Sequence, residues 1–311
     1  MYCPCFKKLS WASLPVELFY WHTAGCHDTY RFMKTIHSRA ITEAVKHMCM
    51  QANYELGQEV LDAFTAARSH ELSPLCREVY DILLENAAIA GRESVALCQD
   101  TGCAVFFVEL GQDVRVDGGG LIDAIHDGVR QGYAEGYLRS SMCNPFTRKN
   151  TGDNTPAIIH IELMQGDILK IIFAPKGGGS ENMSRIAMLK PSQGRQAVKD
   201  FVVDTVRQAG ANPCPPTVVG VGIGGNFEHA ALLSKKALLR KLGSVHADPD
   251  MAAFEAEILQ AINNLGIGAQ GFGGTVTSLA VHIELHPCHI ASLPVAVNLN
   301  CHAHRHGEIV L

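Results

Sequence analysis

The 311-residue chain has no run of like charges and no Lys/Arg patch interleaved with aromatics, and its formal charge is −5 with a pI near 6.3. Nucleic-acid binders usually carry a basic footprint, so this balance argues against one. No apolar stretch approaches the ~20 residues needed to span a bilayer. The longest such segments, TVVGVGIGG and SLPVAVNL, are strand-sized and carry Gly or Pro. The semi-apolar run after Lys7 and Lys8 is broken by Pro15 and Glu17 and is followed by no clean small-residue cleavage site, which argues against a secretory signal. Zinc signatures are also lacking. The close cysteine pairs are Cys3/Cys5 and Cys98/Cys103, and no second pair stands at finger spacing. There is no internal repeat and no low-complexity linker.

What is present is an apolar fraction of 47%, ample for a substantial core, and eleven cysteines. Their number is odd and their spacing irregular, unlike the disulfide frameworks of small secreted domains. Free thiols in a reducing cytoplasm are the better reading, and they leave thiolates available for metal. Residues 1–32 differ from the rest, holding both tryptophans, Trp11 and Trp21, and few helix signals. We therefore expect an atypical extension over 1–32, disordered or not native, and one domain over 33–311.

From 36 to 91 the pattern is helical, with Ile41, Ala44, Val45 and Met48, then Leu83, Leu84, Ala87 and Ala88, at three- and four-residue spacings. Gly91 reads as a helix stop. The stretch CQDTGC (98–103) follows, then AVFFVEL, a buried strand. Another helix is predicted over 121–139, along Ile122, Ile125 and Val129. IIHIEL and ILKIIFA, parted by Met164–Asp167, read as a β-hairpin. Helices are expected at 195–210, 227–241 and 250–265, with strands at TVVGVG, VTSLAVHIEL and LPVAVNL. The order predicts a mixed α/β or α+β fold: an N-terminal helical region, then mixed sheets with flanking helices, and not a Rossmann fold.

Gly220-Val-Gly222-Ile-Gly224-Gly225 satisfies G-x-G-x-x-G between a strand and a helix, the context of a dinucleotide fingerprint. The polar turn GSVHADPD stands where a second parallel strand and its acid should follow, so a tight, close-packed turn is favoured over a nicotinamide site. PKGGGSEN (175–182) lacks the nucleotide-hydrolase pattern, yet three successive glycines expose backbone N–H groups to an anion; a flexible surface loop fits equally well. HPCH (286–289) and CHAHRH (301–306) look like metal ligands. His302, His304 and His306 alternate as in a strand, and near the C-terminus a surface or satisfied core role is favoured for them. His289, bracketed by Pro287 and Pro294, is an acid–base or substrate-orienting candidate. Cys49 and Cys76 fall in amphipathic helices as core residues, Cys103 begins a buried strand, and Cys143 lies in a loop. Cys98, Cys214 and Cys301 each sit where a loop meets a regular element, which by spacing alone is a weak signal.

Taken together, CQDTG, Leu138-Arg139, KGGGSEN, NPCPPTVVGVGIGGNFEHAALLSKKALLR, LGIGAQGFGGT and HPCHIASLPVAVNLNCHAHR resemble the α subunit of two-subunit iron–sulfur hydro-lyases: class I fumarate hydratases and their tartrate dehydratase relatives. The likeness runs in order from about residue 36 to the C-terminus. It implies a [4Fe–4S] cluster held by Cys98, Cys214 and Cys301, leaving one iron open as a Lewis acid. Cys103, Cys143 and Cys288 do not occupy ligand positions. Gln99, Arg139 and Gly179, with Gly178 as the alternative glycine, are implied around a small dicarboxylate substrate, and Arg139 suits a bidentate grip on a carboxylate. Asp100 and His289 are implied to orient water or relay its proton.

The resemblance further implies a β subunit supplying basic residues and a proton-transferring group, in an α2β2 heterotetramer. Hydration of fumarate to (S)-malate is the favoured activity, on KGGGSEN and the His289 turn, with L-tartrate dehydration as the alternative. An iron–sulfur redox or iron sensor needs no dicarboxylate pocket. A nicotinamide oxidoreductase lacks its second strand.

Overall fold

The computed structural model describes residues 33–311, so the expectation for 1–32 lies outside the described residues. The chain enters at β1 (Lys34–His37) and turns into α1 (Ser38–Tyr54), whose stripe Ile41, Val45, Met48, Cys49 and Ala52 is buried. Two further helices, α2 (Gln58–His70) and α3 (Pro74–Glu93), pack through Val60 and Phe64 against Cys76, Val79 and Tyr80. The Ser73 hydroxyl accepts the Cys76 N–H, and Pro74 fills the first helical position, so α3 starts where its residues dictate. Gly91 does not end α3. The apolar face runs on through Ala87 and Ala90, and the helix stops at Ser94, which takes a left-handed φ of 52° and donates its N–H to the Ala90 carbonyl.

Next come β2 (Cys103–Gly111), β3 (Val114–Asp117) and α4 (Leu121–Glu135). They are followed by β4 (Ile158–Met164), β5 (Leu169–Lys176), the one-turn α5 (Gly178–Glu181) and β6 (Arg185–Leu189). The rest of the chain forms α6 (Gly194–Ala209), β7 (Thr217–Gly225), α7 (Phe227–Ala237) and α8 (Pro249–Asn263). It ends with β8 (Ser278–Cys288), β9 (Leu293–Asn300) and β10 (Gly307–Val310). The fold is mixed α and β, as expected.

One four-stranded sheet has the order β10-β5-β2-β4, a second has β6-β9-β7-β8, and β1 pairs with β3. The expected hairpin of β4 and β5 does not form. Instead β2 lies between them, parallel to β4 and antiparallel to β5. AVFFVEL is apolar on both faces, so it stabilises most in the middle of a sheet. Its Phe106 packs on Phe173 of β5, under α1 and α4.

In the second sheet β7 lies between β9, antiparallel, and β8, parallel. A parallel partner for β7 therefore exists, contrary to the sequence reading, but it arrives after two helices. A side chain at Gly220 or Gly222 would run into the carbonyl oxygens of Ser234 and Ala230 on α7. These glycines let a helix lie directly on a strand. Val219, Val221, Val295 and Val297 form the core of this sheet with Val202, Phe254 and Ile258. The segment 301–306 carries the chain from β9 in one sheet to β10 in the other.

Candidate active site

Where the chain crosses between the sheets, five segments enclose a cavity of about 560 Å³. The turn before β2 contributes Cys98, Gln99, Asp100 and Cys103; the loop after α4 contributes Arg139, Cys143 and Arg148. The end of β5 brings Lys176 and Gly177–Ser180, the loop before β7 brings Cys214, and the crossover brings Cys301 and Arg305. Three thiols far apart in sequence thus share one wall.

The backbone fixes each of them. The Asp100 N–H lies 3.4 Å from the Cys98 sulfur, and the Asp100 carboxylate accepts the Gly102 N–H at 3.0 Å and the Gly178 N–H at 2.8 Å. This carboxylate therefore staples the CQDTG turn to the glycine loop. The Thr101 hydroxyl donates to the Arg139 carbonyl at 2.8 Å, which sets the start of the Arg139 loop against the same turn. Fully buried Asn154 accepts the Ser141 N–H at 2.7 Å and donates to the Gly102 carbonyl at 3.1 Å, holding the far end of that loop. Cys214 takes a left-handed φ of 54°, and its carbonyl accepts the His302 N–H at 3.1 Å, tying it to the Cys301 segment. Burial raises the pKa of the Cys214 thiol, with Cys301 and Cys98 as added causes. Burial likewise raises that of Cys301, against the opposing pull of Arg305 and Lys176.

Two cations here were not legible as site residues. Arg305, 3% exposed, donates to Asn53 Oδ1 at 2.8 Å and to the Asp100 carbonyl at 2.9 Å, while its Nε has no partner. Lys176, 4% exposed, donates to Ser180 Oγ at 2.8 Å and to the Leu299 carbonyl at 2.6 Å. Burial pulls its pKa down to about 8, opposed by Glu181. Glu181 in turn is held down to about 2 by Lys176 and Lys235, against the upward push of burial. Arg139, Arg148, Lys176 and Arg305 give the cavity lining a positive charge within a chain of net charge −5.

Gln99, Asp100, Arg139, Gly178 and Gly179 all line the cavity with the three thiols. His289 does not. It stands exposed in the turn between β8 and β9, where its Nδ1 accepts the Ala291 N–H at 3.1 Å. Residues 289 and 301 flank opposite ends of the 8-residue β9, a strand roughly 26 Å long at the rise of an extended chain. Cys103 and Cys143, set aside in the sequence reading, do line the cavity. Cys49 and Cys76 are buried core residues, as expected. The C-terminal histidines are neither in a strand nor uniformly on the surface. His304 is 1% exposed beside Asn300 Nδ2, and burial pushes its pKa down to about 3.

Among the described residues no three His, Cys, Asp or Glu side chains converge closely enough to share one metal ion. A cluster binds each thiolate through a different iron, so three thiols around a roomy cavity fit it. No helix among the described residues is long and apolar enough to cross a membrane.

Residues 42–310 match the model of the fumarate hydratase (Fumerase) family. A Methanocaldococcus jannaschii protein named "Putative L(+)-tartrate dehydratase subunit alpha" is 42% identical over 271 residues, covering 85% of this chain and 95% of that protein. The L(+)-tartrate dehydratase subunit alpha of Escherichia coli O157:H7 is 33% identical over 275 residues, covering 87% and 90%. The family match spans all five segments of the cavity wall, from the CQDTG turn to the crossover, and on that span the chain belongs to the fumarate hydratase (Fumerase) family of hydro-lyases.

Proposed function

We propose that this chain is the α subunit of an iron–sulfur hydro-lyase that reversibly adds water across the double bond of a small dicarboxylate, with fumarate and (S)-malate as the pair. The observation that carries the reading is the meeting of Cys98, Cys214 and Cys301 with four cationic side chains in one cavity. L-Tartrate is the second reading, favoured by the names of the relatives.

Cys98, Cys214 and Cys301 would hold the [4Fe–4S] cluster, which when bound supplies one open iron as a Lewis acid. The other work belongs to the chain. Arg139 grips one substrate carboxylate through paired N–H groups. Backbone N–H groups of the glycine loop receive the other, with Gly179 free for this because the Gly178 N–H is committed to Asp100. Gln99, beside Cys98, donates its amide to the substrate. Asp100 keeps the turn and the loop in register, and water and its proton meet that carboxylate at the cavity wall.

His289 does not line the cavity of its own chain, and we assign its role to the cavity of a neighbouring subunit. Exposed Ile290 (92%) beside it is consistent with a covered surface in the assembly. A β subunit in an α2β2 assembly would bring the remaining basic and proton-transferring groups, in a cytoplasmic enzyme.

Anaerobic reconstitution with iron and sulfide, followed by absorption spectroscopy and iron analysis, tests the ligand set. Wild type should take up a cluster, and Cys98→Ser, Cys214→Ser and Cys301→Ser should each lose it. A colourless wild type, or three serine variants that all keep the iron, overturns the assignment. Fumarate and L-tartrate competition, with and without a co-expressed β chain, decides the substrate; full activity of this chain alone would remove the need for a partner.

A further inference from the structure

Lys176 is buried in the wall of the cavity, and its ammonium is engaged by two hydrogen bonds and one ion pair. It reaches Ser180 Oγ at 2.8 Å, the Leu299 carbonyl at 2.6 Å and Glu181 Oε2 at 3.3 Å. A lysine so engaged is badly placed to hand a proton to substrate. Its bonds instead join two parts of the site. Ser180 and Glu181 belong to the glycine loop and α5, whereas Leu299 lies on β9 two residues before Cys301.

The charge around it is unbalanced. Glu181 also accepts from Lys235 at 2.7 and 2.8 Å and from Asn298 at 2.9 Å, so two ammonium groups, 4% and 18% exposed, share one carboxylate. The other carboxylate of the cavity wall, Asp100, is engaged by the Gly102 and Gly178 N–H groups, so within this hydrogen-bonded network one positive charge is left over. Buried charges require partners, and the anion that would complete this set is not a side chain of the network.

We propose that Lys176 is a positioning residue: it locks the glycine loop to the strand that leads into Cys301, and its uncompensated charge faces the anionic group held by the three thiols. The inference rests on the cluster reading above. Net charge near a cluster is one of the protein's means of setting its potential, and removal of a cation favours the oxidised form.

The test uses the full chain, reconstituted anaerobically, in wild-type, Lys176→Met and Lys176→Arg forms. Iron content, the cluster's midpoint potential and its spectral response to added fumarate are measured on each. Lys176→Met should keep its iron, show a lower midpoint potential and need at least ten-fold more fumarate for half the spectral change. Lys176→Arg should restore the potential and leave the fumarate response weak, because a planar guanidinium keeps the charge and not the three-way geometry. An unchanged potential in Lys176→Met overturns the inference. Should that variant not fold, Lys176→Arg decides: wild-type potential with weakened response supports it, and wild-type behaviour in both overturns it. A wild type that takes up no iron removes the cluster reading itself and this inference with it, an outcome distinct from a loaded wild type with indifferent variants.

Discussion

At Gly220 and Gly222 an added Cβ would collide with the backbone of α7, whereas at Gly179 it would meet nothing nearer than the Asn212 carbonyl oxygen at 3.4 Å. In sequence the first reads as a glycine-rich turn between a strand and a helix, and the second as a glycine-rich loop after a strand. In the first, glycine is required because a helix lies on the strand with no room for side chains. In the second there is room, and what glycine leaves uncovered is the backbone at the cavity wall. Glycine enrichment alone therefore does not mark a ligand site; what a side chain would strike separates packing from binding.

The largest effect should come from Gly222→Ala, which forces α7 off β7. We expect a loss of about 3 kcal/mol, the upper end for overpacking, measured by urea denaturation. A loss below about 0.5 kcal/mol would erase the contrast between the two stretches.

Acid should weaken the packing region next. His282, paired with Gly220 across the sheet, is 2% exposed, and its Nδ1 lies 3.2 Å from the Ala237 carbonyl oxygen. Burial, aided by Arg240 and opposed by Glu255, pulls its pKa from 6.5 to about 4. Between those values the unfolded chain binds a proton that the folded chain does not, so stability falls as pH drops from 6.5 towards 4. The loss from this group should reach about 2–3 kcal/mol, and His282→Gln should flatten the pH dependence of the urea midpoint over that window.

The smallest effect on stability should be that of Gly179→Ala. Its melting temperature should stay within about 2 °C of wild type, since no buried contact is broken. Dicarboxylate binding should weaken about ten-fold, some 1.4 kcal/mol, read by calorimetry or by the cluster's spectral response. A large drop in melting temperature would make this stretch a packing element too.

The helices were legible because their burial is periodic: Ile41, Val45 and Met48 in α1, and Ile125 and Val129 in α4, fall where spacing put them. The place of β2 was not. The turn residues between β4 and β5 give a local hairpin signal, and the preference of a doubly apolar strand for a central position outweighs it. The three thiols line one cavity, though spacing gave no hint that they meet. Lys176 and Arg305 escaped notice because both look like surface residues beside flexible glycine or histidine. The one local clue was that Lys176 closes a strand of alternating burial with two buried residues in succession. His289 shows the converse: its motif gave no sign that the residue stands outside the cavity of its own chain.

The crossover at 301–306 has a mechanical consequence. The three thiols are separated by 116 (214 − 98) and 87 (301 − 214) residues, and they come from loops that adjoin inner strands of both four-stranded sheets, β2 in one and β7 and β9 in the other. A group held jointly by the three, as proposed, would act as a clip on long loops of chain. Anything that binds only the folded form adds its binding free energy to that of folding, and closing such loops in advance removes entropy from the unfolded chain. Loss of such a group would slacken both sheets together, so damage at a single exposed point in the cavity would be felt as a change in the cohesion of the whole domain.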